Sequence, residues 1–541
     1  MATLDSAIRL CFVTGILLLV VLLGLLAVRM LTLGSQTHQQ SNRSRIQAST
    51  TPDTSAHPAY YIGFFHPFPN AGGGGERVLW TMIQALQTKY PFLVSIIYSG
   101  DQTPLGELLA NVREKFGLEI RPETIYVVEL RSCWWVVHRF RRLTLLLQSL
   151  GSVVLASEAL HGFCPDVFVD TVGYAFAYPL VRLVGSGSIP VVAYTHYPTI
   201  SSDMQTLVAS REAGVANDPT VAASPLLTQL KRLYYILFAH MYAFAGSFAA
   251  TIMTNSSWTH AHIIALFGNP KMTRIVYPPC DTAKLAGFAL SPRVPAVVSL
   301  AQFRPEKNHE VQVRAFARLL ADCPQMAAPK HWVMPADNDN DSDNLDFPVL
   351  VMIGGARNLA DEARAETLRQ LADSLGVGRQ VKVVVNAPWD NVLQWLRRGS
   401  VGLHTMRDEH FGINIVEMMA AGLLTIAHDS AGPKMDIVTP AIRCQDTGAP
   451  PLLPGVEQQE RCLREGGSSG FPVGMVARSV DEFAVMMRVA LTASDTLREA
   501  MQCAARASVT AKFSEDAFRT AFYRRFDPVL KWLDIQQSDS E

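Results

Sequence analysis

The sequence predicts an α/β protein with two doubly wound domains facing a cleft, preceded by an N-terminal transmembrane helix. Three observations predict it. Short apolar runs of strand length alternate with helical stretches, in two separate series. The 541 residues exceed what one ordinary core organises. Nineteen residues, Leu10 to Val28, carry no charge, enough to cross a hydrocarbon layer of roughly 30 Å.

The N-terminal segment reads as a retained anchor over residues 1–33. A signal peptide would have a shorter apolar region and a small-x-small cleavage site, whereas "RMLTLGSQTHQQ" follows here. Arg9 precedes the segment, partly offset by Asp5, and Arg29, Arg43 and Arg45 follow it. That bias puts the body in the cytosol. The sequons "NRS" (42–44) and "NSS" (255–257) then never meet the lumenal machinery. The eight cysteines include no CxxC pair or zinc spacing, as expected for reduced thiols. Residues 34–58 are polar and aromatic-free and read as a flexible tether.

The first domain is expected over 59–285. Its strands are "YYIGFF" (60–65), "FLVSIIYS" (92–99), "DVFVDT" (166–171), "PVVAYTH" (190–196) and "ATIMTN" (250–255). The second is expected over 286–541, with "AVVSLAQF" (296–303), "PVLVMIGG" (348–355), "VKVVVNA" (381–387), "VGLHTM" (401–406) and "LLTIAHD" (423–429). Consecutive apolar strands of this kind form parallel sheets covered on both faces. The last helical stretch, 514–535, packs back across the domains. "DNDNDSDNLD" (337–346) has the acids of a calcium loop, but Ser342 stands where that loop needs glycine and Pro348 where it needs glutamate. It reads as a solvated surface loop.

Lys+Arg number 47 against 48 for Asp+Glu, which excludes a dedicated nucleic-acid binder. Mean hydropathy is +0.15, with 49% hydrophobic and 18% charged residues, a globular composition with some membrane character.

The chemistry concentrates at strand ends. "EHFGINIVE" (409–417) runs from a loop into a helix, at the carboxyl end of a parallel strand, where ligands bind in such sheets. The backbone N–H groups of Gly412, Ile413 and Asn414 open that helix and suit a phosphate. Glu417, placed in the first turn, can accept two hydroxyl hydrogen bonds, as a ribose offers. A capping loop with a solvated glutamate pair would carry the same residues. "FRPEKNH" (303–309) places Arg304 and Lys307 after another strand, opposing the helix dipole. Together they can neutralise a diphosphate leaving group. "HPFPNAGGGGERVLW" (66–80) brings the bare backbone of Gly72, Gly73, Gly74 and Gly75 to a strand end, without a Walker or GxGxxG pattern. His196 in "AYTHYP" ends another strand and reads equally as a structural or a functional histidine.

These motifs resemble the retaining glycosyltransferases of the GT-B fold, whose two Rossmann-like domains face a cleft. The family includes glycogen synthase-like and phosphatidylinositol mannosyltransferase enzymes. "EHFGINIVE" matches its E-x7-E signature and "FRPEKNH" its diphosphate-binding Arg/Lys. More narrowly, "HPFPNAGGGGERVLW", "THYPTISSDM", "TNSSWT", "FRPEKNHEVQ" and "EHFGINIVEMMAAG" are similar, in that order, to the dolichol-pathway α-1,2-mannosyltransferases. The resemblance runs from about Tyr60 to the C-terminus. It implies GDP-mannose as donor and a dolichyl-diphosphate oligosaccharide as acceptor, receiving the fourth and fifth mannoses at the cytosolic face of the endoplasmic reticulum. It also implies no metal or other cofactor, with the membrane and other membrane glycosyltransferases of the pathway as partners. Glu409 would contact the transferred mannose, as nucleophile or as electrostatic support. Arg304 and Lys307 would hold the diphosphate and Glu417 the ribose. His196 and the glycine loop would face the sugar and the acceptor. The rivals are a mannosyltransferase acting on another lipid and a non-catalytic membrane scaffold.

A second membrane contact is expected at 231–250, "KRLYYILFAHMYAFAGSFAA", as a helix in the cytosolic leaflet rather than a crossing. Tyr235, Phe238 and Tyr242 are its expected lipid-facing residues, with Trp134 and Trp135 adding to the same face. The alternative is a buried core helix of the first domain.

Overall fold

Runs of Val, Ile, Phe and Tyr become the central strands of two parallel sheets. The computed structural model describes residue 24 and residues 36–55, 57–137, 140, 143–211, 218–329, 332, 345–445, 451–467 and 470–538. The apolar segment Leu10–Val28 lies outside these apart from Gly24, as does most of the acidic stretch 337–346. Among the described residues no helix is long and apolar enough to cross a membrane.

The chain divides into two compact units. Unit 1 takes residues 1–255, 259–276 and 519–541, and unit 2 takes 256–258 and 277–518. The sheet of unit 1 contains β1 (Tyr60–Phe65), β2 (Leu93–Ser99), β3 (Ile125–Glu129), β4 (Val167–Asp170), β5 (Val191–Thr195), β6 (Thr251–Thr254) and β7 (Thr273–Ile275). Its order is β3-β2-β1-β4-β5-β6-β7 and every pairing is parallel. Unit 2 contains β8 (Val294–Leu300), β9 (Val349–Gly354), β10 (Val381–Val385), β11 (Gly399–His404), β12 (Leu424–His428), β13 (Ala441–Arg443) and β14 (Gly474–Ala477). Its order is β10-β9-β8-β11-β12-β14-β13, again all parallel.

The helices that position the sites are α1 (Gln36–Ser49), α2 (Gly74–Lys89), α3 (Thr144–Gly162), α4 (Tyr178–Val184), α5 (Pro225–Gly246), α6 (His309–Asp322), α7 (Ile413–Ala421) and α8 (Glu515–Ser538). Each unit has its own core. Phe65, Tyr98, Phe168 and Tyr178 are buried in unit 1, and Phe303, Phe316, Ile415 and Phe513 in unit 2. Strand order reverses between β1 and β4 in one sheet and between β8 and β11 in the other. A crevice opens at such a reversal, beyond the carboxyl ends of the strands.

Three expectations are corrected. The expected flexible tether contains α1, and that helix is docked. Gln39 Nε2 donates to the carbonyl of Leu160 at 2.9 Å and Asn42 Nδ2 to that of Gly162 at 2.9 Å. Those are the last carbonyls of α3, which have no acceptor role inside their own helix. Arg43 pairs with Asp166 at 3.2 Å and lies over the Tyr61 ring, and Ile46 is buried. A polar composition therefore folded by capping another helix rather than by burying an apolar face.

The unit limits also differ from 59–285 and 286–541. Apart from residues 256–258, unit 2 begins at Tyr277, and residues from Arg519 onward return to unit 1. There Asp527 of α8 accepts from Lys89 Nζ at 2.7 Å and from the Tyr90 hydroxyl at 2.6 Å, while the Tyr523 hydroxyl donates to the Ala85 carbonyl at 2.7 Å.

Tyr235, Phe238 and Tyr242 of α5 face inward, not outward. They recur at helical spacing, and Phe238 and Tyr242 stack on each other and on Phe176, so the three form the core-facing stripe of the helix. The exposed apolar residues of α5 are instead Leu226, Leu227, Leu230, Leu233, Ile236 and Phe244. Trp134 and Trp135 are exposed, as expected of them. The sequon residues Asn42 and Asn255 are both buried in the folded chain.

Candidate active site

The two loops that leave β8 and β11 flank the strand reversal of unit 2. After β8, Phe303 is buried, Pro305–Lys307 form one tight helical turn, and Asn308 at φ +53° leads into α6. After β11 comes Thr405, whose hydroxyl accepts from Gln312 Nε2 at 3.0 Å and faces the carbonyls of Asn308 at 3.0 Å and Lys307 at 3.2 Å. That buried hydroxyl ties the two loops together. Lys307 can then reach across, and its Nζ donates to Glu409 Oε2 at 2.5 Å.

Glu409 is the centre of a cluster. His404 Nε2 lies 3.2 Å from the same Oε2, and Asn414 Nδ2 lies 3.0 Å from His404 Nδ1 while also donating to the Leu300 carbonyl at 2.5 Å. An amide nitrogen only donates, so Nδ1 is the acceptor and the His404 proton sits on Nε2, aimed at Glu409. Burial by itself raises the Glu409 carboxyl. The His404 hydrogen bond and the Lys307 charge outweigh it and hold the group well below the usual carboxylate range. Oε2 takes both partners, which leaves Oε1 as the oxygen able to meet a ligand.

The remaining loop fixes this carboxylate in place. Phe411 is buried between Tyr277 and Phe513, with ring centroids 6.0 Å and 5.3 Å away. Gly412 has φ +106°, and the backbone N–H of Gly432 donates to the Glu409 carbonyl at 3.0 Å. The N–H groups of Ile413 and Asn414 are the first two of α7 and have no acceptor within the helix. Glu417 is half-buried in the second turn of α7, one turn later than expected. The Arg304 guanidinium is half-buried and lies 3.7 Å from Glu306. The structure thus joins Lys307, Glu409 and Asn414, and places Arg304 at the start of the Lys307 turn.

Because the folded carboxyl is held low, its contribution to stability is complete above the range where an unfolded glutamate titrates, near about pH 4.3, and fades as pH falls further. The difference in unfolding free energy between the native chain and Glu409→Gln is therefore expected to stay constant from pH 8 to 5 and to shrink below about pH 4.3. Urea unfolding across that range measures it, and a difference that shrinks already between pH 7 and 5.5 would refute the depressed carboxyl.

Unit 1 builds a second polar cluster at its own reversal. His66 follows β1, with Nδ1 2.7 Å from the Thr171 hydroxyl and Nε2 3.2 Å from Glu76 Oε1. Glu76 Oε2 accepts from the Gly73 backbone at 2.5 Å, which closes the glycine loop onto the first turn of α2. Burial raises the Glu76 carboxyl, but the His66 and backbone hydrogen bonds bring it below its ordinary value. His196 follows β5, and a side chain at Gly75 would come within 3.5 Å of its Nε2. The glycine loop and His196 therefore share one site.

Residues 59–267 match the family model of the ALG11 mannosyltransferase N-terminus, and residues 286–448 match that of glycosyl transferases group 1. The GDP-Man:Man(3)GlcNAc(2)-PP-Dol α-1,2-mannosyltransferase of Homo sapiens is 39% identical over 477 residues, covering 87% of each chain. The chain belongs to this mannosyltransferase family. Its Dictyostelium discoideum member is 37% identical over 479 residues, 87% of this chain and 85% of that one. Among solved structures, an α,α-trehalose 6-phosphate synthase from Burkholderia multivorans superposes with a TM-score of 0.55 at 13% identity, covering 88% of this chain and 99% of that one. Anabaena HepE in complex with UDP-glucose gives 0.52 at 13%, covering 87% and 100%. The shared fold is a GT-B-like pair of Rossmann-like α/β domains.

Several residues of this mannosyltransferase were not singled out in the sequence. His404, Thr405 and Gln312 in unit 2, and His66, Glu76 and Thr171 in unit 1, complete the two clusters. For His404 and His66 a signal existed, a histidine at the end of a buried apolar strand, the same one that marked His196.

Proposed function

We propose that this chain transfers mannose from GDP-mannose, in α-1,2 linkage, to a dolichyl-diphosphate oligosaccharide, adding the fourth and fifth mannoses of the N-glycan precursor. The observation that carries the reading is the buried Lys307–Glu409–His404 cluster at the strand reversal of unit 2, in a chain 39% identical to the human enzyme named for that donor and acceptor.

Unit 2 takes the donor. Arg304, Lys307 and the N–H groups of Gly412, Ile413 and Asn414 meet the diphosphate, and Glu417 takes the ribose hydroxyls. The bond from the anomeric carbon to the phosphate oxygen breaks as an acceptor hydroxyl oxygen bonds to that carbon from the same face. The acceptor proton passes to the departing phosphate. Positive charge grows on the sugar as negative charge grows on the leaving group. Glu409, a carboxylate held ionised by His404 and Lys307, supports the first, and Lys307 the second. No step is assigned to a metal. His196 and the Gly72–Gly75 loop of unit 1 serve the acceptor side. Residues 10–28 anchor the chain in the endoplasmic reticulum membrane with both units in the cytosol.

Incubation of the purified chain with radiolabelled GDP-mannose and trimannosyl-chitobiosyl diphosphodolichol is expected to yield two products, each one mannose longer, both trimmed by an α-1,2-mannosidase. Transfer to a different lipid acceptor but not to this one would overturn the reading.

A further inference from the structure

Unit 1 carries a cleft of about 640 Å³ at the edge of its sheet opposite to His66 and His196. Its walls come from residues just before β5, β6 and β7, from α4 and from α8. Five cations line it: Arg182, Lys271, Arg274, Arg524 and Arg525. Among the described residues no carboxylate pairs with any of them, although the whole chain is close to neutral.

Two of the guanidinium groups are aimed by backbone. Arg182 Nη1 donates to the Ile189 carbonyl at 3.0 Å, and Arg274 Nη1 donates to those of Pro270 at 2.6 Å and Thr273 at 2.7 Å. Both side chains line the cleft. Burial of Arg525, with the Arg274 and Arg524 charges beside it, disfavours its charged form. Like charges gathered at this spacing repel unless an anion joins them.

Apart from Ser247 and Thr251, the rest of the lining is apolar. Phe248, Met272, Val529 and Trp532 are its largest side chains. Phe248 packs edge-on against Phe244 at 5.2 Å, and Phe244 is half exposed at the end of α5. From there the exposed side chains of Ile236, Leu233, Leu230 and Leu226 continue along the helix. An inorganic anion would use the cations and leave this wall and stripe uncovered.

We propose that the cleft binds the phosphate headgroup of an anionic phospholipid, with the outer stripe of α5 bearing on the surrounding leaflet. Guanidinium groups match phosphate oxygens in pairs, and the apolar wall takes the glycerol and first methylenes. The site is separate from the transfer chemistry and does not depend on it.

The test uses the full chain, purified in an uncharged detergent, and calorimetric titration with three monomeric probes: dihexanoyl phosphatidate, dihexanoyl phosphatidylcholine and inorganic phosphate. Phosphatidate is expected to saturate one site and to bind at least about tenfold more tightly than either other probe. R274Q/R525Q is expected to weaken it by about tenfold or more, with the mannosyl transfer rate in detergent as a check on folding. Should that pair fail to fold, R524E on the exposed side of α8 replaces it. W532A is expected to weaken phosphatidate while leaving phosphate unchanged. Equal binding of phosphatidylcholine, phosphatidate binding untouched by the arginine variants, or phosphate binding as tight as phosphatidate would each overturn the proposal.

Discussion

Lys307→Ala is expected to lower the turnover number by about 10²–10³-fold while moving the KM for GDP-mannose far less. The ammonium stands 2.5 Å from Glu409, in a pocket where both side chains are mostly buried. A positive charge in such surroundings acts most strongly on charge that appears during the reaction, and the leaving diphosphate gains its charge then. The variant also strands Glu409 beside His404 without its cation, and a buried carboxylate without its partner is destabilising. Lys307→Ala/Glu409→Gln separates the two effects. It should recover the melting temperature lost by the single variant, and it should not recover turnover. An unchanged turnover number in Lys307→Ala would end the leaving-group role.

Gly412→Ala is expected to abolish measurable transfer, a loss of at least about 10²-fold, and to lower stability by about 1–3 kcal/mol. At φ +106° an L side chain is strained whatever the space around it. Here there is no space either. A Cβ would lie 2.8 Å from Ile415 Cδ1 and 3.3 Å from Glu409 Cγ, so it presses on the carboxylate that Lys307 and His404 hold. Gly376→Ala is the control, since Gly376 has φ +74° with no atom within 4 Å of an added Cβ. It should lose stability through strain alone and keep full activity. Full activity in Gly412→Ala would show that the loop tolerates displacement of Glu409.

The central strands were legible because each is a short run of branched and aromatic residues, and β1 spans the same six residues as its sequence signal. The strands that went unread are mostly short or peripheral. β3 and β13 lie at sheet edges, β7 and β13 have three residues each, and β14 opens with a glycine. In β7, β13 and β14 too few apolar side chains mark a strand, whereas β3, Ile125–Glu129, carries a run like that of the strands that were read. Helix α1 could not be read at all, because its docking depends on carbonyls about 120 residues away rather than on its own apolar pattern. Hydropathy did find α5 but not which side faces in. Both of its sides are apolar, and what distinguishes them is tertiary contact, such as that of Phe238 with Phe176 and of Tyr242 with Phe267. In the site, Lys307 and Glu409 were legible because a charge at a strand end demands a reason. Thr405 and Gln312 were not, because a hydroxyl and an amide in an apolar neighbourhood give no chemical signal until the two loops meet.

Helix α1 has one more consequence, for the distance at which the enzyme works. With residues 10–28 as the membrane segment proposed above, a tether running to residue 58 would be a leash of thirty residues, with a reach of roughly 100 Å. Docking of Gln36–Ser49 onto the end of α3 holds the chain to unit 1 from that helix onward, which starts seven residues after the proposed segment ends. Seven residues reach at most roughly 25 Å. Unit 1 is then confined to a thin layer above the bilayer, where a lipid-borne acceptor is met by lateral diffusion in two dimensions. The effective concentration of that acceptor is set by its density in the membrane rather than by the volume of the cytosol.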